Sequence, residues 1–187
     1  MESTPQEQDS KPQGQGTIIN LYGLFAASLI LSVLPYVTAA SVSTILFLIL
    51  LIAAYVVRSG AAQDSLVDNH STFIIRTLWI AAFFSIFTSI VATVYMMGNL
   101  DYEGPLQPCA ENLARRGLEW LETAPPQEVY EIVQPCMDGF MITNKSVLLN
   151  GVIIIGAPLL VYMGYRFIKG LSRAMKGYRL ANPRAWF

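Results

Sequence analysis

Between Pro12 and Val57 the chain has no aspartate, glutamate, lysine or arginine. A helix in water needs a polar face, so this stretch excludes a soluble fold. Charge is scarce throughout: 13% of the 187 residues are charged, against roughly 25% in ordinary soluble domains. Hydrophobic residues reach 53%, and mean hydropathy is +0.45. Histidine occurs once, at His70, and cysteine only at Cys109 and Cys136. The cysteines are too far apart for a CxxC redox or zinc pattern. There is no HExxH, no glycine-rich phosphate loop and no nucleophile with a base at a recognisable spacing. A Ser-His-acid hydrolase would have to use His70. A metal site built on Asp64, Asp68 and His70 lacks a second histidine or cysteine. The sequence therefore predicts a non-enzymatic protein with no metal and no cofactor. A net charge of −1 gives no basic excess for nucleic acid.

What is present is enough apolar sequence for four crossings, each needing about 20 residues. The uncharged run divides into spans at 18–37 and 42–57, with a tight turn over Thr38-Ala39-Ala40-Ser41 and Pro35 near the end of the first. A polar connector, 58–71, leads to a third span at 73–97, and a fourth runs from Val147 to about Tyr165. Residues 1–16, rich in Gln, Pro, Ser and Gly, read as a disordered tail. The rival reading is a signal peptide cut after 38–40, but three acids and one lysine precede a run too long for such a segment. On the third span Ser85, Thr88, Ser89 and Ala92 share one helix face, and the fourth carries Gly151 and Gly156. Small and hydroxyl residues let membrane helices approach closely, so these are expected packing positions. A kink is expected near Pro158.

Residues 99–145 differ in kind, with five prolines, eight acids and three bases. Cys109, Leu113, Gly117, Trp120 and Leu121 make one apolar helical stripe, and Val129, Ile132, Val133 and Cys136 a second. Two antiparallel helices would bring Cys109 beside Cys136, closing the hairpin with a disulfide if it faces an oxidising space. Two unrelated thiols are the alternative. After the fourth span, residues 166–187 carry six bases and no acid. Phe167, Leu171, Met175 and Tyr178 recur at helical spacing, predicting an interfacial amphipathic helix. Its Lys169, Arg173, Lys176 and Arg179 would meet anionic lipid headgroups, and Trp186 and Phe187 would anchor its end. Basic residues flank the cytoplasmic ends of spans. Both termini and the 58–71 connector are thus expected in the cytoplasm, and 99–145 in the periplasm. Asn144-Lys145-Ser146 matches a glycosylation sequon but abuts the fourth span and is discounted.

The fold class expected is all-α: a four-transmembrane-helix bundle with an extracytoplasmic helical hairpin and a C-terminal interfacial amphipathic helix. Its segments are 1–16, 17–98, 99–145 and 146–187. Arg76 is the one ionisable residue expected below the interface, where charge is expensive. Its long stem can snorkel to the headgroups, or it can pair with Asp68 or Asp64, or donate to helix-end carbonyls. A transport role is the alternative.

Two stretches carry a resemblance. Asp68-Asn69-His70 followed by Ile75-Arg76-Thr77-Leu78-Trp79, and Tyr165-Arg166-Phe167-Ile168-Lys169-Gly170-Leu171 closing the last span, resemble paired signatures of a family of small bacterial multi-pass membrane proteins. That family has no established function and is loosely grouped with the chloroplast inner-envelope import channel subunit. The resemblance covers less than half of the chain, which departs from the pattern by inserting the cysteine hairpin where the family has a short link. It implies a bacterial inner-membrane helical bundle, and pairs His70, Arg76, Trp79, Tyr165 and Arg166 at one membrane face as a rim clamp between spans three and four. The function expected is an accessory or assembly subunit, docking a membrane-protein partner or a second copy through its hairpin and basic tail. The rival is a transporter or channel component using Arg76 and the Ser85, Thr88 and Ser89 face.

Overall fold

The computed structural model describes residues 14–186. Residues 1–13, Phe187 and the side chains of Leu118 and Leu121 lie outside that description, and with them most of the expected N-terminal tail. Among the described residues the chain is all-helical: α1 (Gln15–Ser32), α2 (Val37–Ser59), α3 (Leu66–Asn99), α4 (Glu103–Arg116), α5 (Leu118–Thr123), α6 (Pro126–Thr143) and α7 (Lys145–Met175). Four of these, α1, α2, α3 and α7, are long and apolar enough to cross a membrane. Their outer surfaces expose Ile45, Leu48, Ile52, Phe83, Val161 and Ile168, an apolar coat suited to lipid rather than water. The chain has the make-up of a multi-pass membrane protein.

Several boundaries differ from expectation, each for a local reason. The first turn lies at 33–36, not 38–41. Pro35 has no N–H to donate and pushes Leu34 out of helical geometry, so α1 ends at Ser32. Thr38 to Ser41 need no turn and form the start of α2, where Ser41 Oγ donates to Val37 O at 2.9 Å. The 58–71 connector shrinks to 60–65. Ser65 caps α3, its Oγ accepting from the Asp68 N–H at 3.1 Å, in the Ser-x-x-acid spacing of a capping box. Gln15 and Gly16, expected in the tail, open α1.

At the other end, α7 continues through Pro158 and does not stop near Tyr165. It ends at Met175 in a Schellman motif: Gly177, at φ 68, donates to Ala174 O at 3.0 Å and Tyr178 N–H reaches Arg173 O at 2.9 Å. The expected tail helix is thus corrected. Phe167 and Leu171 belong to α7, and 176–186 is a non-helical strap.

The chain divides into two compact units. The first comprises residues up to Ser85 together with 158–186. Its core joins Ile18, Leu21, Tyr22 and Phe25 of α1 to Leu50 and Ala54 of α2, Ile74 and Leu78 of α3, and Tyr162, Met163 and Ala174 of α7. Phe25 lies edge-on to Phe47 at 6.2 Å and to Phe167 at 5.6 Å. Between α1 and α2, Ser43 Oγ donates to the buried Ser28 O at 2.8 Å, an interhelical bond of the kind that stands in for water in a membrane.

The second unit is 86–157. α4 and α6 run antiparallel, joined by the Cys109–Cys136 disulfide with Cα atoms 6.2 Å apart and by an Arg116–Glu128 ion pair at 3.2 Å. Val129, Ile132, Val133 and Cys136 are half-buried on one face of α6, as the stripe predicts. The first hairpin helix is broken in two at Gly117, whose φ 83 and ψ 164 fall in a region open only to glycine. Asn144 is buried between α6 and α7: its Oδ1 accepts from Asp101 N at 2.8 Å, and its Nδ2 donates to Asp101 O at 2.9 Å. Of the expected packing positions here, Thr88, Ala92 and Gly151 are buried, and Met96 fills the space a side chain at 151 would need. Ser89 is half-buried, and Gly156 opens onto empty space.

Candidate functional site

The densest polar chemistry of the first unit lies where α1 and α3 begin and α7 ends. Asn69, His70, Thr77 and Arg166 are all buried there, and buried polar groups must find partners. His70 Nε2 is 3.0 Å from the Tyr178 carbonyl oxygen. A carbonyl only accepts, so Nε2 carries the proton and Nδ1 is the lone-pair site. Nδ1 in turn accepts from the Tyr22 hydroxyl at 3.0 Å. Both ring nitrogens are thereby engaged, leaving His70 no free lone pair for proton abstraction or metal binding. Asn69 holds the next turn of the strap: Nδ2 donates to Leu180 O at 3.0 Å, and Oδ1 accepts from Leu180 N at 2.8 Å.

Arg166 is fully buried, and the four ion pairs found among the described residues do not include it. Its charge is met by neutral groups. Nε donates to Thr77 Oγ1 at 3.0 Å, and Nη1 to Ala185 O at 2.7 Å. Nη2 makes a longer bond to Phe73 O at 3.4 Å. The guanidinium carbon also stands 3.8 Å over the Phe73 ring, a cation–π contact strengthened by exclusion of water. Gln15 completes the set, its Nε2 donating to Ala174 O and Met175 O, each at 3.0 Å. These two carbonyls end α7 beyond its last i→i−4 bond, and Ala174 O is shared with the Gly177 N–H. The combined effect is a latch: side chains of α3 and α7 grip the backbone of the strap, and Gln15 of α1 ties down the end of α7.

The five expected rim-clamp residues separate. His70 and Arg166 are central. Arg76 is half-buried with its Nε unbonded; Asp68 pairs instead with Arg58 at 3.1 Å and Asp64 with Arg179 at 3.4 Å. Trp79 is exposed and donates from Nε1 to Tyr55 Oη at 3.0 Å. Tyr165 is exposed and accepts from Lys169 Nζ at 3.3 Å. Of the expected headgroup residues, Arg173, Lys176 and Arg179 are exposed and Lys169 half-buried. Ser85, assigned to helix packing, lines an apolar cleft of about 330 Å³ with Thr44, Phe47, Leu78 and Met163 among others.

Sequence reasoning missed Gln15, Tyr22, Asn69, Thr77 and Gly170. Two of them were within reach. Thr77 follows Arg76 inside the quoted signature, and Gly170 sits in the Tyr165–Leu171 signature, where its lack of a side chain admits the Tyr22 ring. Gln15 and Tyr22 bear no local mark, and Asn69 is marked only by its place beside His70. No protein-family profile, curated protein or solved structure matches the chain.

Proposed function

We propose that this protein is a non-catalytic subunit of a membrane complex, its first unit serving as a self-contained anchor and its α4–α6 hairpin as the docking element. The observation that carries this reading is a second apolar stripe on α6. Val129, Ile132, Val133 and Cys136 are half-buried, while Tyr130, Met137 and Met141 recur at helical spacing on the exposed side. Exposed aromatic and methionine side chains on a cross-linked, acidic hairpin suit a protein contact, methionine being adaptable in such surfaces. The saturated bonding of His70 supports an anchoring rather than a catalytic role for the network.

In this reading the membrane is a bacterial inner membrane. Arg58, Lys169, Arg173 and Lys176 face the cytoplasm by the positive-inside rule, and the disulfide-bearing hairpin faces the oxidising periplasm. The resemblance of the two signatures to small bacterial multi-pass proteins fits that assignment. The basic strap contributes less to docking than its charge suggests, because its backbone is occupied by the latch. A transport role for Arg76 and the Ser85, Thr88 and Ser89 face is the weaker alternative, since the cleft that Ser85 lines is otherwise almost wholly apolar.

The test is site-specific photo-crosslinking in cells, with the reactive group at Tyr130 or Met137 and a control at Glu122. A discrete higher-mass adduct from the first two positions and none from the control is the expected result. Equal labelling from all three, or no adduct from any, refutes the docking reading.

A further inference from the structure

We infer that Arg76 holds the phosphate of an anionic membrane lipid on the α3–α7 face of the first unit. Arg76 is half-buried within an apolar span, its Nε buried and without a hydrogen-bond partner. It takes part in none of the ion pairs found among the described residues. Arg166, within Coulombic reach of Arg76, already spends its donors on Thr77, Phe73 and Ala185. The two guanidiniums therefore leave a positive potential that no neighbouring carboxylate cancels.

Depth fixes the source of the missing anion. Trp79 and Tyr55, exposed and bonded to each other at 3.0 Å, are the residue types that settle at headgroup level. Arg76 lies one helical turn from Trp79 toward the polar start of α3. α3 has 34 residues, about 50 Å of helix against a hydrocarbon core of ~30 Å, so this end has length to spare beyond the core. On α7 the same level carries exposed Tyr165 and half-buried Lys169, whose Nζ donates to Tyr165 Oη. A planar guanidinium fork matches two phosphate oxygens. The geometry thus selects a phosphodiester at the membrane surface and not an ion deep in the bundle.

The experiment uses the full chain with Trp120→Phe and Trp186→Phe, leaving Trp79 as the sole tryptophan, reconstituted in bilayers of brominated phospholipid. Quenching of Trp79 should show about a fivefold preference for brominated phosphatidylglycerol over brominated phosphatidylcholine, the size expected of one arginine at an anionic surface. Arg76→Gln should bring the ratio to about one, while Arg173→Gln with Lys176→Gln should leave most of it. Arg76→Lys, which keeps the charge and loses the fork, should fall between. A ratio of one in the unsubstituted chain, or a ratio indifferent to Arg76→Gln, overturns the proposal. So does loss of the preference on adding millimolar inorganic phosphate at constant ionic strength, which would assign the site to a free anion.

Discussion

Arg166 of α7 donates its Nε–H to Thr77 Oγ1 of α3 at 3.0 Å, and Thr77 passes the bond on, its hydroxyl donating to Phe73 O at 2.7 Å. A buried charge thus rests on a hydroxyl whose own proton is already committed. Thr77→Val keeps the shape and removes the acceptor. It should destabilise the protein by about 2 kcal/mol, the scale of a hydrogen bond to a charged group, in denaturant unfolding in detergent micelles. Arg166→Ala should cost more, and the double variant less than the sum, because both changes break one network.

Gly170 seats the Tyr22 ring. A methyl there would run into the ring, whose hydroxyl is its nearest neighbour. Gly170→Ala should lower stability by about 1–3 kcal/mol, the usual cost of overpacking. Tyr22→Phe should not recover that loss, because the ring carbons still crowd the methyl and His70 Nδ1 loses its donor. Gly164→Ala, where a methyl meets open space, should be neutral within about 0.5 kcal/mol. Thermal unfolding of the three variants side by side checks this. Equal losses at 164 and 170 would falsify the account.

Asn144 binds both backbone groups of Asp101 with its single amide. Asn144→Asp keeps the acceptor but replaces the donor with an oxygen facing the carbonyls of Asp101 and Phe140. The expected loss is about 2–3 kcal/mol, visible as faster amide exchange at Asp101. The same burial explains why Asn144-Lys145-Ser146 should stay unmodified in a glycosylating host, which a gel-shift assay reports.

The disulfide closes a loop with a sequence separation of 27, worth about 3.5 kcal/mol in the chain-entropy picture. Cys109→Ser with Cys136→Ser should loosen α4 and α6 by up to that amount. Hydrogen exchange should rise in the hairpin, while the amides of α1 and α2, in the other unit, keep their protection. A uniform rise across the chain would contradict the division into two units.

Four apolar helices and a cross-linked hairpin could be read from the sequence because each leaves a repeating mark: uninterrupted apolar runs, and stripes at helical spacing that bring Cys109 to Cys136. Boundaries were less legible because single residues set them. Pro35, the Ser65–Asp68 capping box and the Lys176-Gly177 stop are all visible in the chain, but the apolar pattern drowns them. The latch was barely legible, for a different reason. Asn69, His70 and Arg166 act largely on backbone carbonyls of the strap, and a backbone carbonyl looks the same at every position. Arg76 drew attention as a charge among isoleucines, whereas Arg166, which holds the strap, follows a tyrosine near a basic stretch and resembles a surface residue.

The latch also imposes an order on synthesis. Thr77, His70 and Asn69 meet their partners only 89, 108 and 111 residues later in the chain. At about 5–20 residues per second, the first three helices wait on the order of 5–20 seconds without these partners from α7 and the strap. For that interval α1–α3 are an unfinished assembly, and whatever receives them at the membrane must tolerate an open polar end until α7 and the strap arrive.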